Sequence, residues 1–198
     1  DSLREFLSPE EIPSFIEALN GEPSCSVRLN PYKGWRPPLG AVPVAWCNEG
    51  FSLPERPVFT LDPAFHGGAY YVQEAGSMFV GYLARQALAA SVAEHPCVLD
   101  LCAAPGGKST HLSSLLGTEG TLVANEVIRG RVCVLADNIR KWGLANAIVT
   151  SSDPSAFGAM GGIFDIMVVD APCSGEGMFR KEPAALEQWS PDNVRICV

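Results

Sequence analysis

Two short stretches hold the residues whose types and spacing could do chemistry: "DAPCSGEG" (170–177) and "DLCAAPGGKS" (100–109). In the first, a carboxylate, Asp170, closely precedes a thiol, Cys173, just after an apolar run. A thiolate there could attack an electrophilic carbon, and the carboxylate could hold a proton on the substrate. An ordinary thiol, with a pKa of about 8.5, is mostly protonated at neutral pH, so a nucleophilic role needs a site that favours thiolate. Cys173 therefore has three readings: a nucleophile, a helper to another cysteine, or a turn residue after a buried strand.

The second stretch is a glycine turn. Its "GGKST" suggests a triphosphate loop, but that loop needs a glycine where Cys102 stands, and no G-x-G-x-x-G is present. What remains is a tight turn where backbone approaches a ligand closely at a helix N-terminus, or a turn that serves only strand–helix packing. Four predicted strands in succession end near an acid: Asp100, Glu126, Asp153 and Asp170. One such acid is readily a helix cap; four at the carboxyl edge of one sheet mark a ligand crevice. Glu126 ends the strand after the glycine loop, where a carboxylate accepts both ribose hydroxyls of an adenosine. An adenosine ligand without a phosphate loop points to S-adenosylmethionine.

The elements that must position these groups alternate strand and helix. Apolar runs at "CVLDLC", "GTLVANE", "NAIVTSSD" and "FDIMVVDAPC" read as strands, the last apolar on both faces and so central in a parallel sheet. Ile128, Val132, Leu135, Ile139 and Trp142 recur at helical steps and stop before Gly143. Met78, Phe79, Tyr82 and Leu83 form a second stripe expected to face the core. The fold class is α/β, a doubly wound Rossmann-like sheet over 69–198, preceded by a small α+β domain over 1–68. In that domain "SPEEIPSFIEAL" carries a capping box, with Pro13 expected to shorten or kink the helix, and "CSVRLN" alternates like a half-buried strand.

The chain has 198 residues, of which 47% are hydrophobic and 18% charged, enough for a true core. Lys+Arg 14 against Asp+Glu 22 gives a net charge of −8, which argues against the broad basic face of a free-standing nucleic-acid binder but leaves room for a local basic groove. Seven cysteines without a CxxC pair, and isolated His66, His95 and His111, supply no zinc ligand set, so no metal is expected. The reading is a reduced, cytoplasmic protein with no membrane span; Cys25, Cys47, Cys97 and Cys133 are structural and His111 is a surface residue. Lys108, Arg180 and Lys181 are candidates for contact with phosphates, while Trp142 reads as a packing residue.

"DLCAAPGGKS", "ANE", the Asp153 segment and "VVDAPCSGEG" together resemble the successive motifs of the Sun-type (Fmu-like) RNA cytosine-5 methyltransferases, with "CSGEGMFRK" most similar to bacterial members that modify ribosomal RNA. "YYVQEAGSM" (70–78) is similar to the segment preceding that family's core, and "VRLN" (27–30) to its N-terminal Arg-x-Asn element. The resemblance implies an S-adenosylmethionine-dependent methyltransferase sheet in the order 3-2-1-4-5-7-6, of which four strands are evident here. It implies that the cofactor lies against the backbone of Cys102, Ala103, Ala104, Pro105, Gly106, Gly107 and Lys108. Glu126 would take the ribose, Asp153 the adenine amino group, and Arg131 would stand beside the pocket. Asp170, at the boundary of cofactor and base, would face the target cytosine, and Pro172 and Cys173 would wall it.

The implied chemistry adds a cysteine thiolate to carbon 6 of a cytosine, which makes carbon 5 nucleophilic toward the cofactor's methyl group. The base must be single-stranded or extruded. The resemblance implies that the partner is RNA, ribosomal RNA by its most similar members, and makes the domain over 1–68 a candidate RNA-binding part. In this family the attacking cysteine lies in a later Thr-Cys-Ser-like segment and the Pro-Cys residue assists release, so Cys173 is catalytic as the helper. No such later segment occurs here, and Cys197 does not match it. The chain is therefore expected to be part of a longer protein. The alternative is a non-catalytic cofactor- and RNA-binding module; a nicotinamide oxidoreductase is disfavoured by the missing G-x-G-x-x-G.

Overall fold

The computed structural model describes residues 4, 6–173, 175–179 and 183–196. They divide into two compact units, one of residues 25–171 and one of residues 1–24 with 172–198. The latter opens with α1 (Glu11–Asn20). Half of the expected capping box forms: Ser8 N–H donates to the Glu11 carboxylate at 2.9 Å. Pro13 is the third residue of α1, a position whose N–H has no intrahelical partner in any case, so it neither shortens nor breaks the helix.

The larger unit begins with an antiparallel sheet. Its strands β1 (Cys25–Leu29), β2 (Val42–Val44), β3 (Cys47–Leu53) and β4 (Tyr70–Val72) run in the order β2-β3-β1-β4, and α2 (Pro63–His66) precedes β4. β1 is more buried than its alternation suggests. Cys25 and Val27 pack with Phe59 and Tyr70, while the polar alternates Ser26 and Arg28 are covered by Gln73 and Thr110. β4 extends this sheet past residue 68, where the sequence suggested a boundary.

Next come α3 (Ala75–Ala90), β5 (Cys97–Asp100), α4 (Gly107–Leu116), β6 (Thr121–Asn125), α5 (Arg129–Trp142), β7 (Ala147–Thr150), α6 (Ser155–Gly158) and β8 (Ile166–Val168). The four strands form a parallel sheet in the order β7-β6-β5-β8, third-second-first-fourth, with Leu99 paired to Val123 on one side and Met167 on the other. Val98, Leu99, Leu122 and Ala124 are fully buried, with Leu112 and Leu116 of α4 and Leu135 and Ile139 of α5 in the same core. Trp142 is buried as expected, its indole N–H donating to Ser114 Oγ at 2.8 Å. In the other unit, α7 (Pro183–Gln188) and α8 (Pro191–Ile196) follow a short 3-10 turn. No helix among the described residues is long and apolar enough to cross a membrane.

Further expectations are corrected by α3 and its neighbour. The buried stripe of α3 is Met78, Gly81 and Ala84, not the aromatic one; Phe79, Tyr82 and Leu83 are roughly half exposed, with Phe79 stacked on Tyr82. Small residues win because α3 lies so close to α4 that a Cβ at Gly81 would fall 1.9 Å from His111 Cε1. His111, expected at the surface, is 4% exposed, and burial together with the charges of Arg28 and Arg85 lowers its pKa to about 3. β8 pairs only with β5 among the described strands, and Met167 and, just beyond β8, Val169 are half exposed despite their apolar type.

His111 is not isolated either. It lies with Cys47 and Glu49, the donor atoms of the three within 4.8 Å of one another. Positive charge already stands there: Arg85 pairs with Glu49 at 3.5 Å, and the Arg28 charge acts on both Cys47 and Glu49.

Candidate active site

The glycine loop runs from the end of β5 into α4 at the carboxyl edge of the parallel sheet. Gly106, at φ +110°, makes the left-handed turn that opens α4, a conformation side-chain-bearing residues rarely adopt. Neighbouring elements hold each part of the loop. Ala103 N–H donates to Asn125 O at 2.8 Å, Ala104 N–H to Glu126 Oε2 at 3.3 Å, and Asn138 Nδ2 to Pro105 O at 2.8 Å. Arg131 donates to Ala104 O and pairs with Glu126 at 3.4 Å. Such satisfaction of loop backbone by the end of β6, by Glu126 just beyond it and by side chains of α5 gives a fixed cradle.

A cavity of about 200 Å³ opens on this loop. Cys102 to Pro105, Gly107 and Lys108 form one wall, Tyr71 to Glu74 and Ser77 another, and Asp170 the rim. Lys108 Nζ bonds Asp170 at 2.6 Å, so the two candidate stretches meet in space. The Cys102 thiol is pushed up by burial, then by Glu126, Asp100 and Asp170, which opposes thiolate formation.

The other expected residues have different settings. Glu126 is 3% exposed; besides its bond to Ala104, its Oε1 accepts Ile128 N–H at 2.9 Å. Just beyond it, Val127 and Ile128 are half exposed, an apolar shelf at the strand ends. Asp153 is exposed and accepts from Ser155 N–H and Oγ, bonds that lower its pKa; this is a local turn two residues wide, ahead of the Pro154 that caps α6. Cys173 is exposed and belongs to the smaller unit. Arg180, Lys181 and Cys197 lie outside the described residues.

One residue of the site was missed in sequence, and another was marked there without a role. Gln73 lines the cavity with a buried Nε2 that has no partner, and Asp100 lies fully buried under the loop with Oδ1 unpartnered. For Asp100 the signal was available, as the first of the four strand-end acids; for Gln73 there was none beyond "YYVQEAGSM".

Burial raises the Asp100 pKa to about 6, with Ser109 and Lys108 pulling it down and Asp170 and Glu126 pushing it up. A folded-state pKa above the unfolded value makes the native state bind more protons between pH 4 and 6 or so, so stability is fully present below the unfolded pKa and falls as pH rises through 6. Asp100→Asn should therefore be more stable than the parent at pH 8 by up to about 3 kcal/mol, at roughly 1.4 kcal/mol per pKa unit. The two should converge near pH 3.5 in urea titrations. A pH-independent difference would remove the buried charge as its cause.

A family model described as 16S rRNA methyltransferase RsmB/F matches residues 86–198, and one for the N-terminal domain of 16S rRNA methyltransferase RsmF matches residues 1–75. The chain belongs to the RsmB/F family of 16S rRNA methyltransferases. Ribosomal RNA small subunit methyltransferase F from Salmonella paratyphi C and from Salmonella choleraesuis are each 42% identical to it over 170 residues, 83% of this chain. The chain spans about a third of those relatives' length, 34%. A methyltransferase homolog protein from Pyrococcus horikoshii is 28% identical, with a TM-score of 0.66 over 86% of this chain and 57% of its own. NSun6 from the same organism, crystallised with SFG, has a TM-score of 0.76 at 17% identity, over 98% of this chain and 74% of its own, a likeness of fold. The fold is the Rossmann-like fold of S-adenosylmethionine-dependent methyltransferases.

Proposed function

We propose that the whole protein transfers a methyl group from S-adenosylmethionine to carbon 5 of a cytosine in ribosomal RNA, in the cytoplasm, and that this chain carries the cofactor site and one of two site cysteines. The observation that carries the reading is the cavity walled by the glycine loop, with Asp170 on its rim, in a member of an rRNA methyltransferase family. The residues fit the cofactor. Gln73 Nε2 is a buried donor with no partner, and the backbone at Gly107 comes so near the Tyr71 ring that a Cβ there would lie 3.3 Å from its Cε1. A cavity of about 200 Å³ is below the roughly 300–1,000 Å³ of whole-ligand pockets, so the adenosine would extend along the shelf of Val127 and Ile128.

When bound, the cofactor supplies an electrophilic methyl group. The chain does the rest by placement. The backbone of Cys102–Lys108 and Gln73 hold the ligand, Glu126 and Arg131 brace the loop beside the ribose, and Asp153 takes the adenine amino group through whichever carboxylate oxygen Ser155 leaves open. Lys108 holds Asp170 where it can stabilise a proton on the ring nitrogen of the cytosine. Cys173 then assists release of the base from a nucleophilic cysteine supplied outside these residues.

The second reading is a cofactor- and RNA-binding module without catalysis. Incubation with S-adenosylmethionine and unmodified small-subunit ribosomal RNA, followed by bisulfite mapping, separates the two. In the full-length protein, Cys173→Ala should accumulate a covalent protein–RNA adduct on denaturing gels. Complete loss of the adduct would make Cys173 the attacker.

A further inference from the structure

A second cavity adjoins the first, sharing Tyr71 and Val72 as a common wall. Its volume is about 340 Å³, within the range that encloses a nucleotide-sized ligand. Phe59, Phe65 and Tyr71 supply aromatic surface, and the charged side chains on its lining, Arg56 and Lys141, are both cationic. Among the described residues neither cation is in an ion pair; instead Arg56 stands over Phe59 at 5.7 Å and Lys141 Nζ over Phe65 at 4.3 Å. On a chain of net charge −8, a cavity lined by two unpaired cations and no carboxylate has a definite electrostatic preference. Asn138, also on its lining, is the residue that holds the Pro105 carbonyl of the glycine loop.

We propose that this cavity holds an unpaired nucleotide of the RNA strand, next to the one presented to the methyl-transfer cavity. Aromatic rings stack on any base, and cations that rest on those rings can turn outward to the phosphates on either side of it. The shared Tyr71–Val72 wall puts this nucleotide close to the target in the strand, and Asn138 ties its seat to the loop that shapes the first cavity. The proposal rests on the reading of the chain as an RNA-modifying enzyme.

The test uses this chain with a fluorescent ten-nucleotide single-stranded RNA, by anisotropy over a salt series. Lys141→Ala and Arg56→Ala should each weaken binding and lower the slope of log affinity against log salt by roughly 0.7. Phe65→Ala should weaken binding about 5- to 150-fold, the loss of one base–aromatic stack. Calorimetric affinity for S-adenosylhomocysteine should stay as in the parent, and its absence in the parent would sink the methyltransferase reading while leaving the RNA measurement legible. Unchanged RNA affinity and salt slope in Arg56→Ala and Lys141→Ala, at an unchanged melting temperature, would overturn the proposal. So would tighter binding of AMP than of the oligonucleotide. If Phe65→Ala fails to fold, exposed Arg56 carries the test.

Discussion

Arg28→Ala is expected to lose about 3–5 kcal/mol of stability, the scale for stranding the partners of a buried charged group. Arg28 is 1% exposed in the middle of β1. Its Nε donates to Gln73 Oε1 at 2.8 Å, and its Nη2 to Thr110 Oγ1 at 2.6 Å and Gly107 O at 3.1 Å. Its guanidinium lies over the Trp142 ring at 4.5 Å. One side chain thus joins the antiparallel sheet to the start of α4 and the end of α5. Burial lowers its pKa to about 10; its hydrogen bonds go to neutral acceptors, and the Glu49 carboxylate acts on it through charge. Arg28→Lys should be almost as damaging, because an ammonium cannot reproduce the planar fork that reaches three acceptors. Urea titrations followed separately by tryptophan fluorescence and far-ultraviolet dichroism should show two transitions in place of one. A loss under 1 kcal/mol would refute the strut.

Gly81→Ala carries the second large effect and an unusual sign. Replacing glycine by alanine inside a helix normally stabilises by about 1 kcal/mol. Here the new Cβ meets all the near atoms of the His111 ring, Cε1 at 1.9 Å, Nδ1 at 2.3 Å and Nε2 at 2.5 Å, and Cys47 Sγ stands 3.9 Å from Nε2. The ring is buried but lines a cavity of about 330 Å³ into which it must be pushed, out of its present packing, so the variant should lose about 1–3 kcal/mol. Removing the obstacle should restore the ordinary sign: on a His111→Ala background, Gly81→Ala should stabilise. A double-mutant cycle reads this as a coupling well above 1 kcal/mol. His111 adds a pH signature. Its folded pKa, about 3, is below the ordinary 6.5, so its contribution is present above 6.5 and is lost as pH falls toward 3. His111→Ala should therefore lose less stability than the parent between pH 7 and pH 4.

Much of this was legible before any coordinates. Strand–helix alternation with glycine stops set the parallel sheet, since period and punctuation are local properties of the chain. The glycine loop, Glu126 and Asp170 were legible too, because each sits at a strand end and strand ends in a parallel sheet converge. The α3 stripe misled for a physical reason: hydrophobic periodicity finds the apolar face, but the closeness of α4 chose the small one, Met78, Gly81 and Ala84. His111 looked solitary because its partners Cys47 and Glu49 lie on β3, far back in sequence.

By itself, then, the sequence determined the order of elements, the resemblance to a methyltransferase family and the loop on which a cofactor would rest. Only the tertiary structure decided that β4 belongs to the antiparallel sheet, that Arg28 ties that sheet to α4 and α5, that Lys108 meets Asp170, and that an aromatic, cationic cavity shares a wall with the first. Local pattern records which face of an element is apolar. Which distant face comes to lie against it depends on packing in three dimensions, and the buried charges and shared walls of this protein arise there.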